Sequence, residues 1–183
     1  MNTQAQPLPV GKKAPAFQSV TFTGDKIKLS DFLGQYTAVY FYPKDNTPGC
    51  TNQACNLQDN LGTLTKHDIQ VIGISPDANA SHEKFATKYD LSFPLVADTD
   101  HKIIEKYGVW GEKKNYGKTY MGLHRTTFLI DPKGKIVHVF TKPKTKEHAE
   151  EILAKVKKQP KKKLKKKQKK KEIQKELEEE TRL

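Results

Sequence analysis

The chain is poor in cysteine, with two in 183 residues, and it has one tryptophan and two methionines. Two cysteines exclude the disulfide scaffold that staples small secreted domains. No stretch approaches the roughly 20 apolar residues that a membrane-spanning helix needs. The opening Met1–Pro7 lacks a charged start leading into an apolar run, so a soluble, cytosolic chain is expected. Neither cysteine belongs to a C-x-x-C pair or has a histidine within several residues, which argues against a metal site. No internal repeat is visible.

Lysine is what the chain has in excess. The formal charge is +12, but Lys155–Leu183 holds 13 Lys, one Arg and 5 Glu, a net +9. The remaining 154 residues carry only +3. Lys161–Lys171 has nine Lys in eleven residues, a low-complexity run that reads as lying outside the fold. The expected organisation is one domain over 1–158 and a Lys-rich tail over 159–183, disordered or partly helical. Leu164, Ile173 and Leu177 form no sustained apolar stripe, which argues against a coiled coil or a membrane-surface helix. The tail is then either a solvated extension or an electrostatic tether to nucleic acid or another polyanion. Aromatic residues do not interleave its lysines, so base stacking is not expected.

Hydrophobic patterning suggests an α/β fold. Phe17–Val20 and Lys26–Leu29 read as short strands around a Gly24-Asp25 turn. Tyr36–Tyr42, rich in β-branched and aromatic residues without clean alternation, suits a central strand covered on both faces. From Cys50 to about Lys66 the pattern turns helical, with Ala54, Leu57, Leu61 and Leu64 on one face. Strands follow at Ile69–Ser75 and Phe93–Ala97, and helices at Ser81–Tyr89 and His101–Tyr107. Arg125–Ile130 and Lys135–Phe140 form a strand pair joined by Asp131-Pro132-Lys133-Gly134, and Thr145–Lys158 is a closing helix. This order implies a central sheet mixing parallel and antiparallel strands, flanked by helices.

The two cysteines carry the chemistry. Cys50 follows Thr47-Pro48-Gly49 where a loop becomes a helix, and free N–H groups and the helix dipole there favour a thiolate. Pro48 restrains the backbone, Gly49 permits close approach of a small molecule, and Thr47 offers a hydroxyl near the sulfur. Cys55 lies five residues on. In regular helix that spacing separates the Cα atoms by roughly 8–9 Å, whereas a disulfide requires less than about 7 Å. The thiols can join only if the helix unwinds, which couples redox state to local unfolding. The bland alternative is a pair of small buried hydrophobes.

Tyr42-Pro43-Lys44-Asp45-Asn46-Thr47-Pro48-Gly49-Cys50 through Cys55 resembles the active-site signature of peroxiredoxins, specifically the bacterioferritin co-migratory, or Q-type, subfamily. Pro43, Thr47 and Cys50 fill its P-x-x-x-T-x-x-C core, and Cys55 stands at the subfamily's resolving position. Gly108–Lys113 and Gly122–Asp131 are also similar to family segments, with Arg125 matching the active-site arginine. The resemblance spans roughly residues 8 to 158. It implies a thioredoxin-like fold and an antioxidant peroxidase acting on hydrogen peroxide and organic hydroperoxides without metal or haem. Cys50, Cys55, Thr47 and Arg125 would be its catalytic residues, and Pro43, Thr47, Gly49 and Arg125 would contact the substrate. Arg125 would place a permanent cation beside the sulfur. A Cys50 sulfenic acid would condense with Cys55 to a disulfide, which a thioredoxin-type dithiol would reduce. A monomer or weak dimer is expected. Gln53 stands where many relatives carry Glu, so hydrogen-bonding reach is kept and the charge is lost. Trp110 is read as a packing residue, and His124 is expected to point away from the face that Arg125 serves. A binding protein with vestigial cysteines is the competing function, disfavoured by the presence of Thr47, Cys50, Cys55 and Arg125 together. A thioredoxin-type oxidoreductase would want the missing C-x-x-C.

Overall fold

The structure, a computed structural model, describes residues 3–160 and 164–182, the side chains of 164–170 excepted. Its centre is a five-stranded sheet in the order β5-β4-β3-β8-β9. These strands are β3 (Tyr36–Phe41), β4 (Ile69–Ser75), β5 (Leu95–Ala97), β8 (Thr126–Ile130) and β9 (Ile136–Phe140). β3 pairs parallel with β4 and antiparallel with β8, so the sheet is mixed. Two hairpins stand apart from it: β1 (Gln18–Val20) with β2 (Lys26–Lys28), and β6 (Trp110–Asn115) with β7 (Lys118–Leu123).

Alternation along β3 divides the core. Ala38, Tyr40 and Tyr42 face a layer built from α1 (Pro48–Asp59), α2 (Leu61–Lys66), α3 (Asn79–Tyr89) and α5 (His148–Lys158). Val39 and Phe41 face the opposite layer, where α4 (Lys102–Lys106) packs with Phe17, Ile27 and Leu29. Burial of β3 on both faces explains why its sequence is apolar without a period of two. Gly73 on β4 makes room on the α1 side, because a Cβ there would lie 2.9 Å from Tyr40 Cζ. Tyr40 then stacks on Tyr42, with centroids 5.3 Å apart.

Two local differences from the sequence expectations have physical causes. The single helix expected from Cys50 to Lys66 is two, because Asn60 leaves helical geometry (φ −103°, ψ 7°). Its side-chain amide bonds back to Asn56 O at 2.8 Å, the competition with backbone that disfavours Asn within helices. The β6–β7 hairpin was not anticipated, because its strands are largely polar and exposed. Its signal is the two-residue turn Tyr116-Gly117, with φ 49° and 77°, the geometry that matches strand twist. In the tail, Leu164–Glu180 is helical (α6), and its described side chains, from Lys171 onward, are exposed. No helix among the described residues is long and apolar enough to cross a membrane.

Candidate active site

The site forms where β3 runs out and α1 begins. Thr47 is the N-cap of α1, with extended backbone, and Pro48 occupies its first turn, where a missing N–H does no harm. The first helical bond runs from Thr51 N–H to Thr47 O at 2.8 Å. The N–H groups of Gly49 and Cys50 therefore precede the helical ladder and point out of the N-terminus. Cys50, Gln53, Ala54 and Leu57 are the buried face of α1, at the spacing of one helical stripe. The Cys50 sulfur thus sits on the same stripe that anchors the helix to the sheet.

Arg125 reaches this turn from the start of β8, 75 residues away in sequence. Its Nη2 donates to Cys50 Sγ at 3.2 Å, and its Nη1 donates to Gln53 Oε1 at 2.6 Å. The planar fork so spans both side chains, a contact that a lysine could not reproduce. Gly49 lies directly against the guanidinium, and a Cβ there would stand 3.2 Å from Nη2. What approaches the Gly49 backbone most closely is therefore Arg125. Thr47 donates its hydroxyl proton to Lys44 O at 2.9 Å, which leaves its oxygen lone pairs to act as acceptors. Pro43 begins the loop and is half-buried.

Cys55 lies on the same unbroken helix and is half-exposed, and both thiols are free. Burial, and next the carboxylate of Asp59, push its thiol above the ordinary cysteine value. The C-terminal half of α1 is fastened to its surroundings. Asn56 Oδ1 accepts from Ala149 N–H of α5 at 2.7 Å, and its amide donates to Lys146 O at 2.9 Å. Gln58 Oε1 accepts from Ser92 N–H at 2.8 Å.

Other residues near the site had no local sequence signal. Lys113, from β6, donates Nζ to Leu123 O at 2.9 Å. Burial, and next the charge of Arg125, lower its ammonium from the ordinary lysine value, while Cys50 acts in the opposite sense. Tyr40 Oη and Gln53 Nε2 are buried without a hydrogen-bond partner. Burial, and next Cys50, raise the Tyr40 phenol well above its ordinary value. His124 turns to Glu112 O at 3.0 Å, away from Arg125's partners. Trp110 stacks on His101 with centroids 4.2 Å apart, a packing contact. Thr127, His148 and Glu151 form a hydrogen-bonded relay at 2.8 and 2.9 Å, but Thr127 and His148 are fully buried, so no substrate reaches them.

The model of the AhpC/TSA family matches residues 10–139. Peroxiredoxin Bcp of Escherichia coli (strain K12) is 49% identical over 151 residues, 82% of this chain and 97% of the relative. Peroxiredoxin Bcp of Bacillus subtilis (strain 168) is 44% identical over 150 residues, 82% and 96% of the two chains. Among solved structures, a cysteine-to-serine variant of Xylella fastidiosa PrxQ matches with a TM-score of 0.74 at 33% identity, over 83% of this chain and 97% of that one. A variant of Xanthomonas campestris peroxiredoxin Q matches with a TM-score of 0.72 at 35% identity, over 77% and 90%. These likenesses place the chain among thiol-dependent peroxidases of thioredoxin-like fold. It belongs to the AhpC/TSA family and, within it, to the Bcp, or Q-type, peroxiredoxins.

Proposed function

We propose that Cys50 is the sulfur that attacks peroxide and Cys55 the sulfur that resolves it, with Arg125 and Thr47 orienting the substrate. The carrying observation is the Arg125 fork joining Cys50 Sγ to Gln53 at the open N-terminus of α1. The Cys50 thiolate attacks the nearer peroxide oxygen. An S–O bond forms, the O–O bond breaks, and the sulfur loses the two electrons that the leaving oxygen gains. Arg125 and the N–H groups of Gly49 and Cys50 stabilise the charge moving onto that oxygen. Thr47 Oγ, its own proton committed to Lys44 O, accepts the O–H of the incoming hydroperoxide. The leaving alkoxide or hydroxide takes a proton and departs as alcohol or water.

The sulfenic acid on Cys50 is then attacked by the Cys55 thiolate. An S–S bond forms, the S–O bond breaks, and hydroxide leaves as water. The helix spacing requires the segment between the two cysteines to unwind first. A thioredoxin-type dithiol restores both thiols by exchange and is itself oxidised. The decisive experiment is a thioredoxin-coupled peroxidase assay on the wild type, Cys50→Ser and Cys55→Ser. Cys50→Ser should abolish peroxide consumption, and Cys55→Ser should permit one round of oxidation and stop turnover. Substantial turnover by Cys50→Ser would sink the assignment.

The Lys-rich run is proposed as a tether for polyanions such as nucleic acid, separate from the catalytic domain and acting through counterion release. Deleting residues 160–183 should leave peroxide turnover unchanged and remove salt-sensitive polyanion binding. A large loss of turnover would show that the tail belongs to the enzyme.

A further inference from the structure

We infer that Asp45 and His82 are positioning residues for the peroxide site, a buried latch that holds the Pro43–Gly49 loop in its reactive shape. This inference rests on the reading of Cys50 as the peroxide-reactive sulfur. The proposed catalytic machinery includes neither residue, yet a connected set of hydrogen bonds joins them to the loop. Asp45 Oδ2 accepts from His82 Nδ1 at 2.7 Å and from Ser81 Oγ at 2.8 Å. Asp45 Oδ1 accepts from Tyr42 Oη at 2.6 Å. The backbone N–H of Asp45 donates to Asp77 Oδ2 at 2.8 Å, and that oxygen also accepts from Ser75 Oγ at 2.8 Å.

The pair is sealed from water, with side-chain exposures of 0% for His82 and 3% for Asp45. The second ring nitrogen of His82 faces Val96 O at 3.2 Å. Each ring nitrogen of His82 therefore meets an oxygen, Asp45 Oδ2 on one side and Val96 O on the other. Burial opposes ionisation of Asp45, but the hydrogen bonds from His82, Tyr42 and Ser81 outweigh it, and the carboxyl sits below its ordinary value. A buried polar network of this kind adds little stability over apolar packing of similar volume, and its best-attested use is to specify one geometry.

The geometry specified here is that of the reactive loop. Asn46, next to Asp45, is held in the left-handed region (φ 58°). Its Oδ1 accepts from Tyr89 Oη at 3.1 Å and from Lys88 Nζ at 3.4 Å. Both ends of α3 thus grip adjacent loop residues, Ser81 and His82 at its start and Lys88 and Tyr89 at its close. Thr47 comes next, so slack at 45–46 passes directly to the hydroxyl and to the first-turn N–H groups around Cys50. Arg125 enters from β8 and is untouched by this latch. Peroxide chemistry needs loop and guanidinium together, whereas simple alkylation of the sulfur needs only an accessible thiolate.

That difference supplies the test. The rate constants of Cys50 with hydrogen peroxide and with iodoacetamide are measured under single-turnover conditions in a Cys55→Ser background. The variants are His82→Leu, the double Asp45→Asn/His82→Leu, which leaves no unpaired buried charge, and Ser81→Ala. Circular dichroism checks folding, and Ser81→Ala, which removes one donor, decides the matter if the others do not fold. The peroxide rate should fall about tenfold or more in the two His82 variants and by a smaller factor in Ser81→Ala, as expected when reacting groups lose alignment. The alkylation rate should stay within about twofold, since the Arg125 contact remains. An unchanged peroxide rate in folded variants overturns the latch, and so does a parallel fall of both rates, the mark of a merely structural role. A parent protein that fails to consume peroxide would instead sink the reading of Cys50 itself.

Discussion

The two cysteines of α1 sit in opposite surroundings. At its start, Cys50 is 1% exposed, bonded to Arg125, and preceded by a loop tied to α3. Five residues on, Cys55 is half-exposed with its thiol pushed up, and the next residue, Asn56, is bonded to α5. One sulfur is held in a set geometry with a permanent cation. The other is kept as a thiol near the surface, at the edge of a fastened helical turn. The fixed points at Asp45 and Asn56 bracket both cysteines, so the segment that must unwind for them to meet is short. Leu57, fully buried just beyond, contributes about 1.5–3 kcal/mol to keeping the rest of α1 in place.

The contrast can be broken first at its strong end. Arg125→Met should lower the peroxide rate constant of Cys50 by about 10²–10³, the usual consequence of removing a donor aimed at developing charge. Arg125→Lys should recover only part of this, because an ammonium cannot bridge Cys50 and Gln53 together. Single-turnover oxidation kinetics read both variants, and equal activity of wild type and Arg125→Met would mean that the guanidinium is a bystander.

The fastening of the far end is tested by Asn56→Ala. It removes the acceptor for Ala149 N–H and should cost about 0.5–2 kcal/mol of stability, as lost helix caps do. Thermal unfolding measures the cost. Hydrogen exchange should show opening spread beyond Cys55 into the second half of α1, and protection unchanged there would show that Leu57 alone sets the boundary.

The smallest effect concerns the Cys55 thiol. Burial is the larger cause of its upward shift and Asp59 the smaller, so Asp59→Asn should bring it only partly back. At pH 7 more of the thiol would then be thiolate, and disulfide formation from the sulfenic acid should quicken about twofold. The gain should vanish at alkaline pH, where the thiol ionises in both proteins, and should shrink in high salt. A pH profile of the resolving step displaced upward, or not at all, would show that Asp59 does not act on the sulfur that attacks.

Much of the fold was legible because it is local. The apolar run at Tyr36–Tyr42, the stripe of Ala54, Leu57 and Leu64, and the Asp131–Gly134 turn each report their own structure through spacing and turn chemistry. The β6–β7 hairpin escaped because its residues alternate too weakly in polarity, leaving a single Gly-containing turn as the sign. Within the site, the residues gathered around Cys50 in the loop and first turn were named from sequence. The latch was not, since Asp45 and His82 are 37 residues apart and an isolated Asp and His are ordinary surface residue types.

The sequence by itself determined the separation of the two cysteines, because rise and rotation per residue are properties of any α-helix. It also determined that the charge resides in the tail. The family resemblance already set Arg125 beside Cys50; only the tertiary structure decided that the same guanidinium bridges to Gln53, that Gly49 gives way to it, and that α3 grips the loop through Asp45 and Asn46. Those contacts join segments brought together by a mixed sheet, and no spacing along the chain encodes a hydrogen bond between strands and helices packed in different layers.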